Sequence, residues 1–414
     1  MYKSIKGTKD ILPAESARWQ FVERTLRDIF HRYNYKEIRT PIFEQTSLFA
    51  RSIGELTDIV GKEMYSFTDR SEESITLRPE GTASVIRSFI QNNLDQIQPL
   101  TKVFYIGPMF RQERPQAGRL RQFHQFGAEA AGSPTAETDV EIISLAVEIY
   151  RKFGLKNFQL KINSVGDEDC RPRYKELLKK ELLKVADKLS PESQKRIEQN
   201  PMRVLDSKDE RDKELTAGMP LITEYLNEEC SVHFERVKAL LSTCNIPFVV
   251  DGKLVRGLDY YTKTAFEITS TALGSQDALA GGGRYDLLVK ELGGKPTPSV
   301  GFAAGIERLM MILENNHFEF PEPAPALFLA AADDDSREWI FKRANELRSQ
   351  GIAVEIDLLA RSLKAQMKEA DRQNAEFSVV IGKTELQNGT AQLKNLRNHS
   401  QKQILLSDLE KELQ

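Results

Sequence analysis

The 414-residue chain predicts an α+β domain with a mixed, mainly antiparallel sheet flanked by helices, followed by a smaller α/β domain. Apolar strand-like runs in residues 1–320 are not joined by regular crossover helices, which favours antiparallel pairing. A segment rich in Lys and Glu, at about 167–227, has helical propensity and predicts a helical insertion. Residues 321–326 contain three prolines at alternate positions, typical of a stiff linker, and residues 327–414 alternate strand and helix patterns.

Apolar spacing predicts the individual elements. Helical spacing marks helices within 19–30, 85–90, 140–150 and, opening at Gly305, 305–313. Strand-like runs occupy 38–43 (interrupted by Pro41), 158–162, 248–250 and 264–268. In the C-terminal domain, strands and helices alternate over 327–332, 336–348, 352–356, 363–372 and 378–381. We expect its sheet to be largely parallel, because helices separate its strands.

Composition restricts the class of protein. The chain is 40% hydrophobic and 29% charged, which suits a soluble globular protein. No apolar run approaches the length of a membrane span, and the N-terminus lacks a signal-peptide core, so we expect no membrane association. Cys170, Cys230 and Cys244 include no CxxC pair, which argues against a disulfide framework or zinc site and fits a reducing cytoplasm. The net charge of −3 neither favours nor excludes a nucleic-acid partner.

Residues 104–129 predict a hairpin with a long basic loop. Arg111 and Glu113 follow the first strand-like run, and Phe123 lies in the second. Arginine forks suit phosphate oxygens, an aromatic face suits a purine, and a carboxylate suits an amine. A solvated arginine loop is the structural alternative, and it does not require this mixture. The segment therefore predicts a site for a nucleotide and a small amine.

Three other regions are ambiguous on their own. Residues 76–82 end at a probable helix start, where Thr82 is either a helix cap or part of a site. Residues 254–261 fit either a turn with core aromatics or a site. Glycine runs in 280–286 and 299–308 are weak signs of phosphate binding and equally indicate close backbone approach.

Together these segments resemble the class II aminoacyl-tRNA synthetases, and among them the histidyl-tRNA synthetases. The general class motifs are matched by 40–55, the 104–129 hairpin and 301–308. Residues 7–13 resemble the family's N-terminal signature, and 254–268 and 280–286 match the two segments particular to the histidine enzymes. The resemblance implies a class II catalytic core over 1–320 and an anticodon-binding domain over 327–414. It also implies a homodimer, with the first motif at the subunit interface.

The resemblance implies that the chain uses ATP to convert L-histidine to histidyl-adenylate and transfers histidine to the 3′ end of tRNA(His). An ionised carboxylate nucleophile needs no general base, so charge neutralisation by Arg111 and Arg256 is the expected catalysis. ATP, with Mg²⁺ bridging its phosphates, would contact Arg111, Glu113, Arg119, Phe123 and Arg308. Histidine would contact Glu80, Thr82, Gln125, Glu129, Arg256, Tyr260 and Tyr261. The tRNA acceptor end would meet Arg114, Gln116 and Gly118, and no protein-held metal is expected.

Two alternative functions are possible for such a chain. One is a non-catalytic paralogue, the regulatory subunit of ATP phosphoribosyltransferase in histidine biosynthesis. The other is an RNA-binding scaffold without chemistry. The presence of Arg256, Tyr261 and Glu113 together with a complete C-terminal domain argues against the paralogue. The intact set of phosphate-facing arginines argues against the scaffold. Polar loop residues Lys383 and Arg397, with Glu385, are candidates for anticodon contact.

Overall fold

The computed structural model describes residues 2–54, 57, 59–115, 118–270 and 278–413. The chain divides into two compact units, Met1–Phe320 and Pro321–Gln414. Throughout the described ranges, every helix is too short or too polar to cross a membrane.

The first unit contains most of the helices and strands. Its described helices are α1 (Pro13–Arg32), α2 (Thr46–Ile53), α3 (Thr82–Gln91), α4 (Leu94–Ile97), α5 (Ala136–Lys152), α6 (Arg171–Leu183), α7 (Pro191–Gln199), α8 (Met202–Leu205), α9 (Glu210–Leu215), α10 (Glu228–Thr243), α11 (Leu288–Glu291) and α12 (Ile306–Asn315). Its described strands are β1 (Lys36–Glu37), β2 (Phe43–Gln45), β3 (Tyr65–Thr68), β4 (Ser74–Leu77), β5 (Thr101–Phe110), β6 (Gln122–Ala131), β7 (Gln159–Ser164), β8 (Val249–Val250), β9 (Thr262–Thr269), β10 (Ala278–Arg284) and β11 (Ser299–Gly305).

The main sheet has the order β1-β5-β6-β11-β10-β9-β7-β8 among the described strands. Its two outer pairs, β1 with β5 and β7 with β8, are parallel, and the pairs between them are antiparallel. Apolar faces of α1, α5, α10 and α12 pack with this sheet in one core. The predicted mixed, mainly antiparallel sheet is confirmed.

Local apolar spacing explains the confirmed elements. In α1 the five buried residues recur at helical spacing, and Pro13 begins the helix, where its missing N–H costs nothing. The hairpin is formed by β5 and β6, two ten-residue strands in which Phe110 lies opposite Gln122. Arg111 and Arg121 then stand where the two strands separate, linked through Arg111 N–H and Arg121 C=O at 2.9 Å.

The predicted strand over 38–43 is wrong. The structure has the short strands β1 and β2 on either side of residues 38–42. Pro41 has no N–H to give to a sheet, and Arg78 supplies the partners instead. Its guanidinium donates to Thr40 O at 3.0 Å, and its backbone N–H donates to Ile42 O at 2.9 Å.

The predicted helical insertion is confirmed. Helices α6 to α9 lie in sequence between β7 and α10. Their buried apolar side chains, among them Leu178 and Val204, join a second core that also contains Tyr261 and Tyr285. The buried carboxylate of Asp212 accepts hydrogen bonds from three serine hydroxyls, those of Ser190, Ser193 and Ser207.

The second unit is an α/β domain with its own sheet. Its elements are β12 (Leu327–Ala331), α13 (Asp335–Ser349), β13 (Val354–Ile356), α14 (Leu363–Arg372), β14 (Phe377–Ile381), α15 (Lys383–Asn388), β15 (Thr390–Asn395) and β16 (Gln401–Leu405). The order is β13-β12-β14-β15-β16, with β12 parallel to both neighbours and the last two pairings antiparallel. The expected largely parallel sheet is therefore wrong for its last two strands. Gly389, with φ of 65°, ends α15 and turns the chain directly into β15.

Candidate active site

One cavity of about 1460 Å³ in the first unit gathers residues from distant parts of the chain. The predicted site residues that line it are Glu80, Thr82, Arg111, Glu113, Gly118, Arg119, Phe123, Gln125, Arg256, Tyr260, Tyr261 and Arg308. Arg114 is not among the lining residues, and Gln116 lies outside the described residues. Glu129 lies beneath the wall, with 1% of its surface exposed. The structure thus brings nearly all of the predicted site into one place.

The hairpin mouth holds two arginines around one carboxylate. Arg111 donates from Nε to Pro79 O at 2.9 Å, and its guanidinium carbon lies 5.3 Å from the centre of the Phe123 ring. Glu113 lies 3.2 Å from Arg119 Nη1 and 3.6 Å from Arg111 Nη1. One carboxylate therefore lies between two arginines.

Arg308 adds a third cation to this cluster. It stands in the first turn of α12 and donates from Nη1 to Ala278 O. Burial lowers the pKa of Arg308, and the charges of Arg119 and Arg111 lower it further. Mutual repulsion of this kind is relieved by a polyanion, so the cluster favours a phosphate chain.

Arg256 reaches the cavity from a separate segment and pairs with Glu267 of β9. Although burial acts to lower the pKa of Arg256, the negative charge of Glu267 raises it overall. Gly281 lies opposite Glu267 on the neighbouring strand β10. A Cβ at position 281 would lie 1.8 Å from Arg256 Nη2, so only glycine leaves room for the guanidinium. Gly281 in the glycine run thus allows the Arg256 side chain to lie close to the backbone of β10.

Glu129 is held under the cavity wall by two hydroxyls. Its carboxylate accepts from Thr82 Oγ1 at 2.7 Å and from Tyr285 Oη. Burial raises the pKa of Glu129 to about 8, against these hydrogen bonds, and the nearby Glu80 also raises it. Gly301 lies opposite Glu129 in the β6–β11 register, and an added Cβ would lie 1.6 Å from the carboxylate.

The helix α3 begins at the cavity, and the side chain that caps it is Glu80 and not Thr82. Glu80 accepts from the backbone N–H groups of Thr82 and Ala83 at 2.6 and 2.8 Å. The Thr82 hydroxyl is therefore not the cap, since it donates to Glu129. Burial raises the pKa of Glu80, and the helix N–H groups oppose that rise.

Two polar atoms of the cavity wall lack partners among the described residues. One is the acceptor Gln125 Oε1 and the other is the donor Arg256 Nε. Buried polar atoms are nearly always hydrogen-bonded, so these two call for a ligand that both donates and accepts. Tyr260 and Tyr261 complete this wall, with ring centres 4.7 Å apart.

Sequence reasoning assigned no role to four further residues of this site. Glu267 and Tyr285 lie in segments already singled out, and their positions on β9 and after β10 were the available signal. Glu307 accepts from His124 N at 2.9 and 3.0 Å. Asp206 of the insertion also lines the cavity, and burial together with Glu267 raises its pKa to about 6. The sequence of the insertion gives no sign of that contact.

Comparison with known proteins identifies the family. The Histidyl-tRNA synthetase family model matches residues 7–309, and the Anticodon binding domain model matches residues 328–414. The chain is 52% identical over 412 residues to a histidine–tRNA ligase of Chloroherpeton thalassium, covering 99% of this chain and 96% of that one. It matches apo S. aureus histidyl-tRNA synthetase with a TM-score of 0.85, 41% identity and full coverage of both chains.

A structure described as an ATP phosphoribosyltransferase regulatory subunit/histidyl-tRNA synthetase from Bacillus halodurans C matches with a TM-score of 0.65 and covers 92% of this chain and 98% of that one. Its identity is 22%, so this likeness shows the shared fold alone. The full-length relative at 52% identity favours the ligase function over the regulatory one. The chain therefore belongs to the histidyl-tRNA synthetase family of aminoacyl-tRNA ligases.

Proposed function

We propose that the chain activates L-histidine with ATP and transfers the histidyl group to the 3′ end of tRNA(His). The observation that carries this proposal is the single cavity that joins Arg111, Arg256 and Arg308 to the carboxylates and tyrosines beside them. The arginines suit a triphosphate, and Glu80, Glu129 and the tyrosines suit an amino acid with a polar ring. No arrangement for general-base chemistry is required, because the attacking carboxylate is already ionised.

In the ATP subsite, Arg111 and Arg256 hold the α-phosphate from opposite segments of the chain. Both are fixed before the ligand arrives, Arg111 by Pro79 O and Arg256 by Glu267. Preorganised charge of this kind stabilises a transition state without reorganisation. Arg119 and Arg308 take the outer phosphates. Adenine stacks on Phe123, and its exocyclic amine donates a hydrogen bond to Glu113. Glu113 then compensates less of the positive charge of the arginines.

Carboxylates beside the arginine cluster fit an Mg²⁺ ion. Glu113 and Glu307 line the cavity with side chains 12% and 15% exposed. Mg²⁺ prefers oxygen ligands and is usually held by one or two carboxylates with phosphate oxygens and water. We therefore assign Glu307 to the ion, because Glu113 is taken by the adenine amine. The bound ion would help neutralise the charge of the leaving pyrophosphate.

In the histidine subsite, the α-ammonium group donates to Glu80 and to Gln125 Oε1. This oxygen has no hydrogen-bond partner within the described ranges. Thr82 completes the ammonium contacts and holds Glu129. Glu129 and Tyr261 bind the two imidazole nitrogens, with Tyr260 packed beside them. Apolar side chains of similar size leave these buried groups unpaired, so the subsite rejects them strongly.

Transfer to tRNA follows at the open end of the cavity. The loop that contains Arg114 and Gly118 lies beside the arginine cluster in sequence and is assigned to the acceptor end of tRNA. Residues 327–414 are assigned to the anticodon. There Lys383 begins α15 and Arg397 follows β15, and both side chains are exposed. Affinity for tRNA depends on phosphate contacts and should fall as salt rises.

We further propose a homodimer that works in the cytoplasm. In the three-stranded sheet β2-β4-β3, β2 is an edge strand and exposes Phe43, and β3 exposes Phe67. Exposed apolar side chains on an edge strand are typical of an interface. The three unpaired cysteines fit a reducing compartment.

Charging of tRNA with labelled histidine tests the proposed function. The expected result is ATP-dependent formation of histidyl-tRNA that requires tRNA(His). Tight RNA binding with no charging would instead favour a non-catalytic scaffold. Arg256→Lys tests the role of Arg256, because lysine keeps the positive charge but cannot make the forked contact. This variant should form histidyl-tRNA slowly.

A further inference from the structure

A group of two thiols and one carboxylate lies outside the active site. Asp167, Cys170 and Cys230 each offer one ligand atom, and these atoms all lie within 4.8 Å of one another. Both cysteines are buried and Asp167 is partly buried. The cysteines lie at the starts of two separate helices, so their spacing in the sequence does not indicate the group. Absence of a CxxC pair is what argued against a metal site there.

The fold brings these residues together at the base of the helical insertion. The chain leaves β7 and turns at Gly166, whose φ is 67°. An added Cβ at Gly166 would lie 2.7 Å from Cys170 Sγ, so the turn leaves room for this sulfur. Cys170 immediately precedes α6, and Cys230 is in the first turn of α10.

The carboxylate is already oriented toward the sulfurs. Asp167 accepts from the backbone N–H of Cys170 at 3.0 Å, from Asn227 Nδ2 at 2.9 Å and from Cys230 Sγ at 3.1 Å. Asn227 in turn accepts from the backbone N–H of Cys230 at 2.9 Å and so caps α10. Outer-shell hydrogen bonds of this kind fix the orientation of metal ligands.

We propose that Asp167, Cys170 and Cys230 bind a divalent ion of the zinc class. Two thiolates with a carboxylate suit zinc and not the hard ions Mg²⁺ or Ca²⁺, which prefer oxygen alone. A tetrahedral zinc site with Zn–S bonds of about 2.3 Å separates its ligand atoms by about 3.7 Å. The group therefore needs only a small adjustment. On binding, the two thiols release their protons to solvent and water takes the fourth position.

The site has a mechanical link to the active site. Arg171, next to Cys170, donates from Nε to Val165 O at 3.0 Å and from Nη2 to the backbone oxygens of Gly166 and Tyr261. Tyr261 lines the active-site cavity. A metal ion at this position therefore fixes the start of α6, and through Arg171 the backbone that carries Tyr261.

Metal analysis of the purified full chain tests the site. After reconstitution with zinc and removal of excess, wild type should retain about one zinc ion per chain. Cys170→Ser and Cys230→Ser should each lower zinc affinity at least about tenfold, measured by competition with a chromophoric chelator. Cys244→Ser is the matched control, because Cys244 is exposed and outside the group, and it should retain the ion. Chelation should lower the melting temperature of wild type and of Cys244→Ser only.

Three outcomes would overturn the proposal. One is a wild-type chain that retains no zinc after reconstitution. Another is equal zinc affinity in Cys170→Ser and Cys244→Ser. The third is a disulfide between Cys170 and Cys230 in the isolated protein, detected by intact mass. If the serine variants do not fold, zinc release from wild type by a thiol-reactive reagent answers the same question, and no release contradicts the site.

Discussion

Replacing Gly281 by alanine should slow adenylate formation strongly, although no residue assigned to a ligand is replaced. The added Cβ would lie 1.8 Å from Arg256 Nη2 and 2.3 Å from its Cζ. Ordinary contact between such atoms is about 3.5 Å, so the guanidinium must retreat by about 1.7 Å. The three atoms nearest to the added Cβ all belong to the flexible end of the Arg256 side chain, so the variant should still fold. The pair with Glu267 is then broken or displaced.

The size of the effect follows from this displacement. Misplacing a catalytic group by about 1 Å costs about 10²-fold in rate, and losing one preorganised charge costs about 10²- to 10³-fold. The rate of histidine-dependent pyrophosphate exchange should therefore fall about 10²- to 10³-fold, or about 3 to 4 kcal/mol. The matched control is Gly218→Ala, since an added Cβ there meets no atom within 4 Å. It should exchange at the wild-type rate, and both variants should melt close to wild type.

A double variant makes this test specific to Arg256. Once Arg256→Ala has removed the guanidinium, Gly281→Ala has nothing left to displace and should add little further loss. Two results would refute the reasoning: a folded Gly281→Ala variant that exchanges near the wild-type rate, or a double variant whose loss equals the product of the two single losses.

Three other predictions concern the histidine subsite and the hairpin loop. Glu129→Ala removes the acceptor shared by Thr82 and Tyr285, so histidine affinity should fall about 10²-fold while ATP affinity stays within about threefold; calorimetry with each ligand measures this, and equal losses would contradict the subsite assignment. Burial raises the pKa of Glu129 from 4.5 to about 8. Between pH 4.5 and about pH 8, the folded chain therefore keeps a proton on Glu129 that the unfolded chain has lost. The stability of wild type relative to Glu129→Gln should therefore fall by up to about 5 kcal/mol as pH rises from 4.5 to about 8. Melting temperatures of wild type and Glu129→Gln across this range test the prediction, and a parallel pH dependence of the two would disprove it. Arg114→Ala should slow tRNA charging while pyrophosphate exchange stays near wild type, because the loop is assigned to tRNA and not to ATP; loss of exchange would move Arg114 into the ATP subsite.

Local patterns explain what the sequence predicts well. The apolar spacing of α1 and the two runs of the β5–β6 hairpin are set by neighbours in the sequence, and both are confirmed. The prediction for 38–43 was wrong because its apolar residues resemble a strand, whereas the backbone oxygens of Thr40 and Ile42 accept from Arg78, far along the chain. In the second unit, the antiparallel return of β15 and β16 depends on a turn at Gly389.

The site divides in a similar way. Its arginines were predictable because their motifs are continuous in sequence, and the cavity brings them together. Their partners depend on pairing between strands, as with Gly281 opposite Glu267 and Gly301 opposite Glu129. Registers between distant strands are not local properties, so the partnerships of Arg256 and Glu129 could not be read from the sequence. The same reason hides Asp206, which the insertion brings to the cavity.

Histidine-dependent exchange of labelled pyrophosphate into ATP tests the central claim most directly, since it requires both subsites of the cavity and no tRNA. We expect exchange with L-histidine, none without an amino acid, and at least about 10⁴-fold less with an apolar amino acid of similar size, because the subsite's polar groups would stay unpaired. Exchange that does not depend on histidine, or no exchange by a folded chain that binds ATP, would contradict the account.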